Sequence, residues 1–242
     1  MGERARRNFE IRIEPLAEVH IDAAARIHAQ CFPDKIETLL GLDCIRDVYR
    51  SRFLGPKRDT FCLVAIHVTD GRLAAYLYGS DFVPQSSSPH AFINKAIAKR
   101  HLLKSGWYRP RVWKFLLNRI HSRLFGKFQN ESAVVPVPEW GCVAKMLGIH
   151  PDFRGGNVGV DLMLAIEGEA MKRGARRLYG LVERSNIKAE RLYASIGWVR
   201  TNPDSDKWQV FSMHKDLVAD SKPVDLAPVP PPSPPQNPLV AA

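Results

Sequence analysis

Arg154-Gly155-Gly156-Asn157-Val158-Gly159 is the stretch of this chain whose residue types and spacing say most about chemistry. Glycines allow the backbone to turn sharply and to approach a ligand closely. A helix that starts from such a turn aims several unpaired N–H groups, and the positive end of its dipole, at one point. Such a point attracts phosphate. Arg154 adds a planar, permanently charged fork suited to phosphate oxygens. By itself the stretch could equally be a surface turn that contains glycine, so its neighbours matter.

The elements around it are those that would position a phosphate. Cys142 to Ile149 is an apolar, strand-like run, and Val160 to Glu167 continues as a helix from about 158 to 173. A short strand, 177–182, and a helix, 187–196, come next, and Trp198 begins another short strand. Lys207 to Lys215 alternates well enough to be a last strand. Upstream, Phe9 to Glu14 alternates and stops at Pro15, which reads as a first strand. Val19–Ala29 and Thr38–Phe53 have helical spacing. Thr60–Val68 and Leu73–Gly79 flank Thr69-Asp70-Gly71-Arg72, a hairpin signal. The order is β-α-α-β-β-β-α-β-α-β-β.

Arg-Gly-Gly-Asn-x-Gly, then a helix, a strand and Asn186-x-x-Ala189-x-x-Leu192-Tyr193-x-x-x-Gly197-Trp198 resembles the GNAT superfamily of N-acetyltransferases. The close match covers about Gly141 to Lys215; element order alone extends it over Phe9 to Asp81. The resemblance implies an α+β fold of three-layer α/β/α type, with a mixed central sheet, splayed strands and flanking helices. It divides the chain into 8–83, the first half of the domain, and 139–217, the half that binds acyl-CoA. It also implies acetyl-CoA as donor, used on a primary amine by direct attack in a ternary complex. Amides from Arg154 through Gly155, Gly156, Asn157, Val158, Gly159 and Val160 would hold the diphosphate. Asn157 stands where many members have glycine, and asparagine tolerates left-handed backbone angles. Leu147, Gly148 and Ile149 would pair with pantetheine, and the Leu147 amide would donate to the thioester oxygen. Tyr193 would protonate the leaving thiolate. Asn186 would cap its helix or bond pantetheine. Glu183 and Glu139 flank the expected cleft and are the candidates for general base, though each also suits a solvated surface carboxylate.

Composition bounds the alternatives. The formal net charge is +10. Lys95, Lys99, Arg100, Lys104, Arg109, Arg111, Lys114, Arg119, Arg123 and Lys127 lie between Asp81 and Glu131, where no acid occurs, and these ten cations equal the whole excess. They belong to 84–138, a helical insertion between the third and fourth strands. Its helices span about Ala91–Lys104 and Arg111–Phe125. In the second, Val112, Leu116, Ile120 and Leu124 form an apolar stripe beside Trp113 and Leu117. The 91–127 segment suits an acidic partner: an acyl carrier protein, an anionic membrane surface or an anionic substrate. With a carrier protein, Trp107, Trp113, Phe115 and Phe125 could wall a longer acyl chain, a second reading on the same fold. A third is nucleic-acid binding, since Gly156-Asn157-Val158-Gly159 satisfies the GXXG loop of KH domains. Cys31, Cys44, Cys62 and Cys142 are dispersed, with neither metal-ligand nor disulfide-framework spacing. No apolar run is long enough to cross a bilayer, no signal segment is seen, and a cytoplasmic protein is expected. The proline-rich segment 222–242 should be extended and mobile.

Overall fold

The computed structural model describes residues 7–56, 59–81, 93–124, 141–201 and 210–217. Glu139, Phe125, Trp208, the ends of the insertion and the proline-rich segment lie outside them. Seven strands form one mixed sheet: β1 (Ile11–Pro15), β2 (Thr60–His67), β3 (Leu73–Asp81), β4 (Gly141–Ile149), β5 (Arg177–Glu183), β6 (Val199–Arg200) and β7 (Val210–Asp216). Their spatial order is β1-β2-β3-β4-β5-β7-β6. Among the described strand pairs, only β4–β5 is parallel. The connection across that pair runs through α6 (Val158–Lys172), as a parallel crossover requires.

β2 shows why the sheet has helices on both faces. Phe61, Leu63 and Ala65 pack into a core with Val158, Leu162, Met163 and Ile166 of α6. Cys62, Val64 and Ile66 point the other way, toward α1 (Ile21–Cys31) and α3 (Leu42–Tyr49). A strand buried on both faces reads as a continuous apolar run, and its period-2 alternation sorts residues between two cores. The three-layer arrangement follows.

Two elements differ from the sequence expectation. Thr38–Phe53 is not one helix. It contains the end of α2 (Ile36–Leu40), then α3, then a π-helical turn over Arg50–Leu54. The break is at Gly41, whose φ of 107° no other residue type adopts readily. The first insertion helix, α4 (Lys95–His101), continues into a π-helical turn over Leu102–Gly106, and α5 covers Pro110–Leu124. Val112 of α5 is buried with Leu40 and Cys44, and Leu116 packs beside it, so the insertion docks on α2 and α3. Trp107 and Trp113 are exposed and enclose nothing. No described helix is long and apolar enough to cross a membrane.

Candidate functional site

β4 and β5 pair only from Gly141 to Ala144 and from Arg177 to Gly180. Beyond that point β4 stays with β3, and β5 stays with β7. The two central strands therefore open into a wedge whose vertex is the Ala144–Gly180 pair. A bulge marks the same place: Tyr78 pairs with Met146 and Gly79 with Ala144, which leaves Lys145 as the extra residue. Bulges bend a strand and interrupt its pairing. The His150 N–H bonds the Ala74 carbonyl on β3. By strand alternation, Leu147 and Ile149 turn their backbone groups the opposite way, into the wedge. The Ile149 carbonyl is already taken by Arg154 Nε, at 3.1 Å, and the Cys31 thiol, at 3.4 Å. Among the described residues, none outside the strands bonds the backbone groups of Leu147 or the Ile149 N–H.

The open end of the wedge meets the glycine turn. Gly155, not Asn157, takes the left-handed conformation, with φ of 77°. Asn157 is right-handed (φ −74°) and works as a clamp. Its Oδ1 accepts from the Phe9 N–H at 2.7 Å, and its Nδ2 donates to the Phe9 carbonyl at 3.0 Å and to Asp161 at 2.5 Å. Its own N–H goes to the Arg7 carbonyl. Gly156 is glycine because a Cβ there would lie 2.7 Å from the Arg7 carbonyl and the Phe9 ring. Gly159 lets α6 approach β4 and the helix α7 (Ile187–Ser195): its Cβ would meet Leu192 at 2.9 Å and Ile149 at 3.1 Å. The close approach at Gly156 and Gly159 is thus to the protein itself. The N–H groups of Val158, Gly159 and Val160 have no intrahelical acceptor, and none among the described residues bonds them outside the helix. Arg154 lies at the rim, with its guanidinium against Ile149 and Cys31.

Tyr193 sits at the closed end. Its ring stacks on Trp198 at 5.2 Å, and its edge comes within 3.7 Å of where a Gly180 Cβ would be. Burial pushes the phenol up to about 12. The hydroxyl bonds no described residue and is not among the sealed, unpartnered polar atoms, so it opens onto the wedge or solvent. Asn186 caps α7 by accepting the Ala189 N–H at 3.1 Å. Glu183 ends β5, exposed, on the arm that diverges from β4. Glu139 lies outside the described residues.

Residues 125–198 match the sequence profile of the Acetyltransferase (GNAT) family. That segment is similar to the GNAT acetyltransferases. No curated protein matches the chain. Among solved structures, yncA of Salmonella typhimurium, determined with its cofactor acetyl-CoA, aligns at TM-score 0.53 and 14% identity over 89% of this chain and 99% of that one. A GCN5-related N-acetyltransferase from Kribbella flavida aligns at TM-score 0.53 and 12% identity, over 85% and 97%. The ribosomal-protein-alanine N-acetyltransferase of Brucella melitensis aligns at TM-score 0.51 and 15% identity, over 84% and 98%. At such identities the likeness establishes the fold. The profile match bears on residues 125–198, about a third of the chain. The KH alternative loses its footing, because that loop joins two helices whereas this one joins β4 to α6.

At the bulge, sequence reasoning missed Lys145. Burial, with Arg52 nearby, lowers its amine from 10.5 to about 8. Its position at the bulge depends on the register of two strands, which no local pattern reveals. It also missed the buried group beneath β4: His28 lies 3.3 Å from the Tyr49 hydroxyl, 3.1 Å from that of Tyr76 and 3.3 Å from Glu37. Gly148 leaves room for that group, since a Cβ would fall 2.4 Å from the Tyr76 ring.

Proposed function

We propose that the chain is an N-acetyltransferase that moves an acetyl group from acetyl-CoA to a primary amine within a ternary complex. The observation that carries this is the parting of β4 from β5 at Ala144–Gly180, with unbonded amides at one end and Tyr193 at the other. A diphosphate at the first turn of α6 and pantetheine along Leu147 and Ile149 bring a thioester toward the vertex. The acyl-CoA-binding role thus belongs to the 139–217 half, with 8–83 supplying the opposite wall.

The amine nitrogen attacks the thioester carbon, and the oxygen takes up negative charge facing the Leu147 amide. A donor aimed at developing charge contributes roughly 3–4 kcal/mol. Collapse of the intermediate breaks the C–S bond, forms the amide and releases CoA thiolate. A phenol at about 12 keeps its proton at neutral pH but gives it up reluctantly to a thiolate near the reference thiol value of ~8.5. Tyr193 is therefore assigned a hydrogen bond that strengthens as sulfur gains charge, with the proton following. The ammonium proton must leave the acceptor first. Glu183 on β5 and Lys145 on β4 stand on the two arms of the wedge as its acceptors, and an amine at about 8 is matched to working pH. The four cysteines are unpaired, which agrees with a reducing cytoplasm.

The test is a panel of amines (protein N-terminal peptides, lysine, amino sugars, polyamines) supplied with acetyl-CoA and followed by thiol release. Turnover with at least one amine, slowed by Tyr193→Phe at unchanged acetyl-CoA affinity, is expected. Thiol release from a longer acyl-CoA alone would replace the acetyl donor.

A further inference from the structure

The insertion exposes what a helix normally hides. Leu103, Trp107, Tyr108, Trp113 and Leu117 are 46–67% exposed, although α5 already packs Val112, buried, and Leu116, half-buried, against α2 and α3. Contiguous exposed apolar surface marks an interaction site more often than a scattered leucine does. These side chains are held in place: the Trp113 indole N–H donates to the Trp107 carbonyl at 2.7 Å, and Trp107 meets Tyr108 edge-on at 5.6 Å. At about 100° per residue, Trp113 and Leu117 lie on one flank of the outward face of α5, and Lys114 and Arg111 continue it.

The cations there divide into two groups. Arg100 pairs with Asp47, and Arg109 donates to the Leu39 carbonyl, so both fasten the insertion to the domain. Lys95, Lys99, Lys104, Arg111 and Lys114 make no ion pair with any described residue. In sequence no acid occurs between Asp81 and Glu131, and Asp43 and Asp47, which line one cleft with Lys104, are paired with Arg46 and with Arg100 and His101. An occupant must therefore offer negative charge and, in the same plane, apolar depth for indole rings and leucines. Acidic proteins and nucleic acids offer the charge; the boundary between lipid phosphates and acyl chains offers both, and it is where tryptophan and tyrosine concentrate.

We infer that this face of the insertion docks on an anionic lipid bilayer, with Trp107, Trp113 and Leu117 entering the headgroup region and Lys104, Arg111 and Lys114 on its phosphates. The inference does not depend on acetyl-CoA use. It also concerns peripheral docking only, since no described helix spans a membrane.

The full chain should sediment with vesicles containing about a third phosphatidylglycerol and not with pure phosphatidylcholine, with loss of binding at high salt. Tryptophan emission should shift to the blue on binding. Trp107→Ser with Trp113→Ser should weaken vesicle binding roughly tenfold or more, as should Lys104→Glu with Lys114→Glu, each at unchanged acetyl-CoA affinity and melting temperature. No sedimentation with anionic vesicles overturns the inference. So does vesicle binding that the tryptophan variant leaves intact, or retention on an acidic carrier protein or RNA without vesicle binding. Loss of acetyl-CoA binding with vesicle docking retained would count against the proposed activity and leave this inference standing.

Discussion

The two walls of the wedge are built by different means. On the α6 side, the wall is backbone: a left-handed glycine, two glycines that admit their neighbours, an asparagine that ties the turn to Phe9, and free amides in a first helical turn. All but the Phe9 tie lies within a few residues in sequence. On the α1–α3 side, the wall is side chains gathered from far apart: His28, Glu37, Tyr49 and Tyr76 under β4. A backbone site depends on spacing and glycine. A side-chain wall depends on tertiary packing, and its residues can vary with the acceptor.

The contrast predicts separable defects. Tyr193→Phe should have the largest effect, because it removes a hydrogen bond to a developing charge worth roughly 1.5–3 kcal/mol. Turnover should fall roughly 10- to 100-fold, while calorimetry finds acetyl-CoA affinity unchanged. An unaltered turnover number would take Tyr193 out of the chemistry. Gly148→Ala strikes the other wall. Its Cβ would overlap the fully buried Tyr76 ring, so overpacking should lower stability by roughly 1–3 kcal/mol in urea titrations. If the variant is as stable as the parent, the ring has room to move and the wall is softer than described.

Asn157→Ala should follow at about 1–2 kcal/mol, since it leaves the backbone groups of Phe9 without their partners. Its mark should be a weakened acetyl-CoA affinity with acceptor KM unchanged; the opposite pattern would reverse the roles given to the two walls. Lys145→Met should act in the opposite direction, raising stability by at most roughly 3 kcal/mol. The fold lowers this amine from 10.5 to about 8, so it disfavours the charged form. Below pH 8 the folded protein bears that penalty in full. The penalty fades as pH rises from 8 to 10.5, where the unfolded chain also becomes neutral. The variant should therefore be the more stable protein at pH 7 and equal to the parent above about 10.5. A stability difference independent of pH would argue against a depressed amine.

How much of this could be read from sequence follows the same division. The wedge-bearing half was legible because Arg154 to Gly159 and Asn186 to Trp198 are local patterns, and the sheet order follows from the elements between them. The left-handed position within the turn differs from the expectation: Asn157 stands where a tolerant residue is expected, but Gly155 adopts the conformation and Asn157 contributes its side-chain amide. Gly41 splits a stretch that reads as one helix, because apolar spacing continues through it while φ does not. Lys145 was invisible, since a bulge exists only between two strands. The stripe on α5 was half right. Val112 is buried and Leu116 half-buried as their spacing implies, but Trp113 and Leu117 face outward, and spacing alone does not say which apolar residues a docking surface covers.

The most direct test of the central claim, that main-chain amides at the wedge's open end hold the diphosphate of acetyl-CoA, is calorimetric titration of acetyl-CoA into the parent and Gly156→Val. In the variant, a side chain must displace the turn from the Arg7 carbonyl and the Phe9 ring. The account predicts one-site binding to the parent and a roughly tenfold or greater loss in the variant, with the near-ultraviolet dichroism of the core retained. A parent that does not bind acetyl-CoA, or a variant that binds it equally well, would contradict it.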